Sequence, residues 1–300
     1  MALRIENVTK RFGKKIAVDQ LSMLVEPGEM FGMLGANGAG KTTTFRMMIG
    51  LFEPNDGEVT WDGQAPQSLS ARTIGYLPEE RGLYPKLKVM EQMIYLGRLR
   101  GLSKKEVMAE VNMWLERFNI PHYRKAKVEN LSKGNQQKVQ FIAAVLHRPD
   151  LLILDEPFSG LDPINVDLLK TAVKELRDGG TTIVFSSHDM EHVESLCENL
   201  CIMDEGTPVV HGKLKDIKRT YEKRKLHVRA DFPIDFLEHI DGVLDMTVGA
   251  QETTIDIRDE GVAEAIFASL QDQGGYVRHF SVEEPTLHDI FVEKVGRSYV

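Results

Sequence analysis

Apolar residues in the first two-thirds of the chain come in short unbroken runs. Met30–Leu34, Ile74–Leu77, Leu151–Leu154, Thr182–Ser186 and Leu200–Asp204 are of strand length. They lack the alternation of a half-exposed strand, which is the pattern of parallel strands covered on both faces. Longer segments with helical spacing lie between them: Lys41–Leu51, Gln136–His147, Ile164–Asp178 and Met190–Asn199. Pro163 suits the start of the third helix, and Gly179-Gly180 stops it. The alternation predicts a three-layer α/β fold. Leu3–Val8, Ala17–Val25 and Glu58–Trp61 predict a smaller antiparallel β subdomain beside it. Val89–Arg124 reads as helical and amphipathic, with Met90, Met93, Ile94, Leu96, Leu99, Val107, Val111, Trp114, Leu115 and Phe118 near three- and four-residue spacing. A Met-rich stripe suits an adaptable docking surface, although core packing is the plainer reading for most of these residues.

The tail has its own order. Strands are expected at Leu226–Ala230, Leu244–Val248, Thr253–Ile257 and Tyr276–Val282, and helices at Ile234–Ile240 and Gly261–Gln273. This βαββαβ sequence predicts a small α+β domain of ferredoxin-like type, followed by a last helix near Thr286–Val295. Charge supports a boundary here. Residues 1–221 hold 29 basic and 29 acidic side chains, whereas residues 222–300 hold 8 and 16, so the net charge of −8 sits in the tail. The expected division is therefore 1–220, with a helical subdomain at about 89–147, and 221–300. An acidic tail lacks the clustered cations that nucleic-acid binding needs. The basic stretch Lys213–Lys225 between the two reads as a solvated helix and hinge rather than an anion site. The tail shows no nucleophile, metal cluster or glycine loop, so a regulatory or dimerising role is expected of it.

Composition excludes other classes. A chain with 42% hydrophobic and 27% charged residues is not disordered as a whole. No run approaches the roughly 18 to 20 apolar residues of a membrane helix. The opening MALRIENVTKRFGKK has no apolar core of a secretory signal. Cys197 and Cys201 form no disulfide framework and are expected to be buried as small apolar residues, in a reducing compartment. Cys-x3-Cys also lacks the second ligand pair of a zinc site.

Two motifs carry chemistry. After the Met30–Leu34 strand comes Gly35-Ala36-Asn37-Gly38-Ala39-Gly40-Lys41-Thr42, a complete G-x-x-x-x-G-K-[ST] loop, and a helix follows it. Gly35, Gly38 and Gly40 let successive N–H groups face one anion, and the helix start adds its positive dipole end. Lys41 reaches the β- and γ-phosphates as a point charge, and the Thr42 hydroxyl offers a ligand to Mg²⁺. With Ala36, Asn37, Ala39 and Thr43 these form the candidate nucleotide cradle. The second motif is Asp150–Pro157, DLLILDEP. Asp155 ends a strand where a carboxylate can hold Mg²⁺, and Glu156 follows as a candidate general base toward the attacking water.

A third motif narrows the class. Leu131-Ser-Lys-Gly-Asn-Gln-Gln-Lys138 heads a helix and resembles the LSGGQ signature of ABC transporter ATP-binding subunits, with Ser132 at the N-cap position and Gly134 permitting close approach. The resemblance covers roughly residues 2–215. It implies a P-loop NTPase core that binds ATP and Mg²⁺, hydrolyses ATP, and sandwiches two nucleotides between two ATPase subunits, identical or paralogous. By the same resemblance Ser132, Gly134, Asn135 and Gln136 meet the γ-phosphate held by the other subunit, and Asp162 in Ser159–Asp162 belongs to the loop that crosses the dimer. His188 resembles the switch histidine, Phe12 the aromatic that stacks on adenine, and Glu79 the metal-contacting residue that is usually Gln. Lys133 and Asn135 also depart from the common LSGGQ pattern. These features, with LPEERGLYP after Leu77 and the C-terminal extension, resemble exporters of the sodium-extrusion (NatA-like) and antibiotic-resistance (DrrA-like) branch. That implies an integral membrane permease as partner, with Leu83-Tyr84-Pro85 as the contact, and a peripheral place at the cytoplasmic face of the cell membrane. The alternative is a soluble ABC ATPase acting as a nucleotide-gated binding module. Against it, the chain has one ATPase unit and no sustained heptads. A kinase is a more distant third reading, since no acceptor pocket is evident outside the ATP site.

Overall fold

The computed structural model describes residues 1–80, 82–221, 223–249 and 252–296. Arg81, in the Ile74–Leu87 segment, and Glu222, in the basic linker, lie outside the described residues. The chain forms two compact units, Met1–Lys213 and Leu214–Val300. The division precedes the short helix at Leu214–Thr220, which the charge pattern had placed with the first domain.

The first unit runs β1 (Leu3–Phe12), β2 (Lys15–Val25), β3 (Met30–Leu34), α1 (Lys41–Met48), β4 (Asp56–Trp61), β5 (Ile74–Leu77), α2 (Val89–Leu99), α3 (Lys104–Arg117), α4 (Lys133–Val145), β6 (Leu151–Leu154), α5 (Pro163–Asp178), β7 (Thr182–Ser187), α6 (Met190–Leu196), β8 (Asn199–Asp204) and β9 (Thr207–Lys213). An antiparallel sheet of order β2-β1-β4 pairs Leu3 with both Val25 and Trp61. The central sheet has the order β5-β6-β7-β3-β8-β9. Its first five strands are parallel and β9 is an antiparallel edge. β9 was not expected from the sequence. It alternates exposed and half-buried residues and contains Pro208, which only an edge strand tolerates.

Continuous apolar sequence and double-sided cover go together here. β3, β6 and β7 are buried at every residue. Their pairing places Leu154 beside Phe185 and Leu34 beside Ser187. The segments leaving these strands therefore start at one end of the sheet, where open α/β sheets build ligand sites.

The segment expected to be helical over Val89–Arg124 is two helices. Ser103 opens the second with a capping box, accepting from the Glu106 N–H while the Glu106 carboxylate accepts from the Ser103 N–H. Pro121 then begins a short 3₁₀ turn, Pro121–Lys125, because proline cannot continue the α-helical ladder. Helix α4 starts at Lys133 rather than Gln136, since Ser132 caps it. Trp114, Phe118 and Phe141 join α3 to α4 with ring centres 5.5 to 5.8 Å apart. Cys197 and Cys201 are free and buried, and burial pushes the Cys201 thiol up to about 12.

The second unit contains α7 (Leu214–Thr220), β10 (Arg224–Ala230), β11 (Val243–Val248), β12 (Thr253–Ile257), α8 (Glu260–Asp272), β13 (Val277–Glu283) and α9 (Leu287–Val295). Its antiparallel sheet has the order β11-β12-β10-β13, that of a split βαβ arrangement. Leu226, Val228, Ile255 and Ile257 pack with Val262, Ile266 and Leu270 of α8. The helix expected at Ile234–Ile240 is only a 3₁₀ turn, Asp235–His239. Pro233 precedes it, no side chain caps it and Gly242 closes the segment, so too few residues remain to repay helix nucleation.

The aromatic contact yields a stability prediction. Phe141→Ala should cost about 3–5 kcal/mol, the usual penalty for emptying a buried aromatic site, and thermal unfolding should show the first unit melting earlier. A loss below about 1 kcal/mol would mean that this cluster does not hold α4.

Candidate functional site

The phosphate loop is shaped by contacts that leave no room for side chains. Gly35 has φ +154°, and a Cβ there would lie 2.5 Å from the Met203 carbonyl. Gly40 has φ +103°, and its Cβ would lie 2.5 Å from the Ala17 carbonyl. The β1–β2 hairpin thus abuts the loop from one side and β8 from another. Ala36 is half-buried, Asn37 and Gly38 are exposed, Ala39 is buried, and Thr42 and Thr43 are half-buried in the first turn of α1. No side chain caps α1 and no acidic residue occupies its first turn, so its N–H groups keep capacity for an anion.

Lys41 is buried, and its Nζ donates to the carbonyls of Gly35 at 2.7 Å and Ala36 at 3.2 Å. Burial pushes its amine down, opposed by Glu156, Asp155 and Glu79. Three carboxylates therefore act on this ammonium through their charge. The Thr42 hydroxyl donates to Asp155 Oδ2 at 2.8 Å, and the Ser186 hydroxyl donates to Asp155 Oδ1 at 2.6 Å. Ser186 Oγ also accepts from the Glu156 N–H at 2.9 Å. In the sequence Ser186 is only the last residue of an apolar strand. Its only sequence signal is position, two residues before His188 on a strand beside β6.

Glu156 is buried and holds φ +49°, a left-handed backbone unusual for glutamate and typical of constrained functional sites. Its Oε2 lies 2.8 Å from His188 Nδ1. Burial pushes the carboxyl up, and the neighbouring His188 and Lys41 work against that rise. The His188 side chain is 68% exposed, so it can hold Glu156 while still facing a ligand. A groove of about 390 Å³ opens here, lined by Glu156, Ser159, Gly160, His188 and Asp189.

Glu79 is exposed after β5, and its charge is felt at Lys41 and at Tyr76, whose hydroxyl burial pushes up to about 12. Phe12 ends β1 with 46% exposure, edge-on to Phe52 at 5.4 Å. It belongs to the hairpin that abuts the phosphate loop.

The remaining candidates stand apart from this cluster. Exposed Ser132 caps α4, accepting from the Asn135 N–H at 3.4 Å. The Asn135 amide reaches the Tyr123 hydroxyl, and Gln136 turns back to the carbonyls of Val128 and Leu131. Gly134 is half-buried. Asp162 caps α5, accepting from the Asn165 N–H at 3.0 Å. Among the described residues none of these five donates to or accepts from the phosphate loop.

Comparison with known proteins gives the family. Residues 18–159 match the family described as ABC transporter, and residues 212–295 match the C-terminal domain of ATP-binding proteins like DrrA1-3. The uncharacterized ABC transporter ATP-binding protein YhaQ of Bacillus subtilis is 55% identical over 297 residues, 99% of each chain. The chain belongs to the ABC transporter ATP-binding proteins. The linearmycin resistance ATP-binding protein LnrL of Bacillus subtilis is 33% identical over 99% of each chain. A solved structure described as an ATP-binding subunit of an ABC transporter superposes with a TM-score of 0.69 at 30% identity, covering 74% of this chain and 93% of that one. The first unit is thus an ABC ATPase cassette, a nucleotide-binding and ATP-hydrolysing fold.

The raised carboxyl of Glu156 gives this cassette a pH signature. Below the ordinary value near 4.5 the group is neutral, folded or unfolded, and costs nothing. As pH rises the unfolded chain ionises first, so stability is lost until the buried carboxyl also ionises. Glu156→Gln should therefore gain thermal midpoint over the native chain as pH climbs from 4 to 8, with the gap vanishing at the acid end. Parallel melting curves across that range would contradict a raised carboxyl.

Proposed function

We propose that this chain is the ATP-hydrolysing subunit of an exporter and drives a separate integral membrane permease. The observation that carries this is the convergence of Lys41, Thr42, Asp155, Glu156 and His188 at the ends of β3, β6 and β7. ATP seats its phosphates on the N–H groups of Gly35–Thr43, and Lys41 exchanges its loop carbonyls for phosphate oxygens. Phe12 offers its exposed face to adenine.

The donor set suits Mg²⁺. Thr42 and Asp155 present hard oxygens within 2.8 Å of each other, and the Glu79 carboxylate is close enough to act on Lys41. Among the described residues no group of three or more His, Cys, Asp or Glu forms a metal cage. A small cation held by one or two protein oxygens plus phosphates fits that pattern. Mg²⁺ bound there supplies neutralisation of charge on the phosphate oxygens. Glu156, once ionised, takes a proton from the attacking water through a carboxylate oxygen. His188 Nδ1–H holds the other oxygen, because a carboxylate can only accept. Burial makes Glu156 a stronger base than an exposed glutamate, and the left-handed backbone fixes its direction.

Among the described residues Ser132 and Asp162 form no hydrogen bond with the phosphate loop of their own chain, which supports their use across a dimer of ATPase subunits, two of this chain or one with a paralogue. Ser132 then offers its hydroxyl and the α4 N-terminus to the partner's γ-phosphate. Among the described residues no helix is long and apolar enough to cross a membrane, so the crossing is assigned to a permease. Tyr84, Pro85, Leu87 and Tyr95 form a shallow apolar groove suited to that contact, with both tyrosines more than half exposed. The DrrA-like C-terminal match and the LnrL relative support an exporter that sits peripherally at the cytoplasmic face.

Two measurements test the reading. Glu156→Gln should lower ATP turnover by roughly 10²- to 10⁴-fold, the usual contribution of a general base. The same variant should accumulate as an ATP-bound dimer in size-exclusion chromatography, and adding Ser132→Arg should return it to monomer. Undiminished turnover would remove Glu156 as the base, and a dimer insensitive to Ser132→Arg would remove the signature from the interface. Tagged native chain should co-purify from membranes with a multi-pass protein; ribosomes or DNA in its place would overturn the transport assignment.

A further inference from the structure

We propose that Ser186 is a positioning residue that locks the metal-ligand carboxylate of Asp155 and the backbone of the base Glu156 into one unit through a single buried hydroxyl. This rests on the reading above, in which Asp155 serves the metal and Glu156 the water.

The proton count fixes the direction of both bonds. The Glu156 backbone N–H can only donate, so Ser186 Oγ accepts there, at 2.9 Å. The one hydroxyl proton is then free for Asp155 Oδ1, at 2.6 Å. Asp155 meets Thr42 through its other oxygen, so the two contacts define the plane of the carboxylate. Thr42 has a ligand of its own to serve, whereas Ser186 has none. The Ser186 contact is therefore the one that can hold the carboxylate's orientation both with and without bound metal.

The same hydroxyl governs Glu156. That residue sits at φ +49°, which a β-carbon disfavours, and its buried N–H needs a partner in that conformation. Ser186 supplies it from the neighbouring strand. The next serine does different work: Ser187 Oγ accepts from the Asp189 N–H at 3.0 Å at the entry to α6. Successive residues of a strand point to opposite faces, so only Ser186 can meet the Asp155–Glu156 step. An apolar residue of equal size would fill the volume and leave Asp155 Oδ1 and the Glu156 N–H unpaired, with Asp155 1% and Glu156 7% exposed.

The test compares Ser186→Thr with Ser186→Val in the full chain. The two side chains match in shape and differ in the hydroxyl. Mn²⁺ is titrated against the complex with AMP-PNP by electron paramagnetic resonance, and AMP-PNP binding is measured separately in EDTA. Ser186→Val should raise the half-saturating Mn²⁺ concentration roughly 10- to 100-fold, the range for lost outer-shell partners of a metal ligand. Ser186→Thr should stay near native, and metal-free AMP-PNP binding should be the same in both. ATP turnover should follow the Mn²⁺ result, with kcat falling in Ser186→Val at saturating metal. Should the branched side chains not fold, Ser186→Ala takes the place of Ser186→Val with the native chain as reference. Equal Mn²⁺ affinity with and without the hydroxyl would overturn the proposal. Asp155→Asn separates the two levels. If it weakens Mn²⁺ while loss of the Ser186 hydroxyl does not, only the role of Ser186 falls. If Asp155→Asn also leaves Mn²⁺ binding native, the metal assignment itself falls.

Discussion

Burial of one ammonium and two carboxylates at neighbouring strand ends is the constraint around which the first unit is organised. An isolated buried charge is costly, and removing one partner of a buried pair costs about 3–5 kcal/mol. Each charge here is met by groups that other requirements already place nearby. Lys41 is held by carbonyls of its own loop, Asp155 by two hydroxyls, and the Glu156 carboxylate by a histidine. The fold supplies these partners because three fully buried parallel strands end side by side. The left-handed Glu156 and the strongly curved Gly35 and Gly40 are local costs sustained by that rigid frame. The arrangement is poised rather than relaxed. Lys41 is spent on carbonyls of its own loop, and two of the three charges are acidic, so an incoming cation offsets the excess.

The cluster of Lys41, Thr42, Asp155 and Glu156 was legible because its members are local in sequence. A phosphate loop is eight consecutive residues, and Asp155-Glu156 follows an unbroken apolar strand. The Ser132 cap was legible for the same reason, as a serine heading a helix. Ser186 was not, because its partners lie 30 and 31 residues away and a serine ending a strand carries no signal of its own. Its meaning appears only when β6 and β7 are known to be neighbours. Glu156's backbone conformation was equally hidden, since nothing in DEP announces a positive φ.

The fold follows the same division between local and distant causes. Runs buried on both faces were placed well, because composition alone separates them from surface strands. Strand β9 was missed because an edge strand with a proline and alternating exposure looks like a loop. In the second unit the four strands form where expected, but the helix expected between the first two is only a turn. Ile234–Ile240 has apolar residues enough for a helix, yet Pro233 and Gly242 bracket it too tightly for more than a turn. Tertiary packing of Leu237 into the core holds that turn in place of a helical ladder.

The connector between β5 and α2 shows how site and surface are joined physically. It carries Glu79 near one end and the exposed Tyr84-Pro85 near the other. Two buried glutamines grip its backbone. Gln140 of α4 donates to the carbonyls of Pro78 and Glu80 at 2.9 and 3.1 Å, and Gln92 of α2 accepts from the Tyr84 N–H at 2.8 Å. Gln140 lies on the helix that Ser132 caps, so the Glu79 segment is tied by hydrogen bonds to the signature helix. A displacement of either one must stretch those bonds or move the other. Because the interior is close-packed and Gln140 is 4% exposed, the cheaper outcome is that they move together. Any displacement shared by the Glu79 segment, Tyr84 and α4 is in this sense carried by two amide side chains.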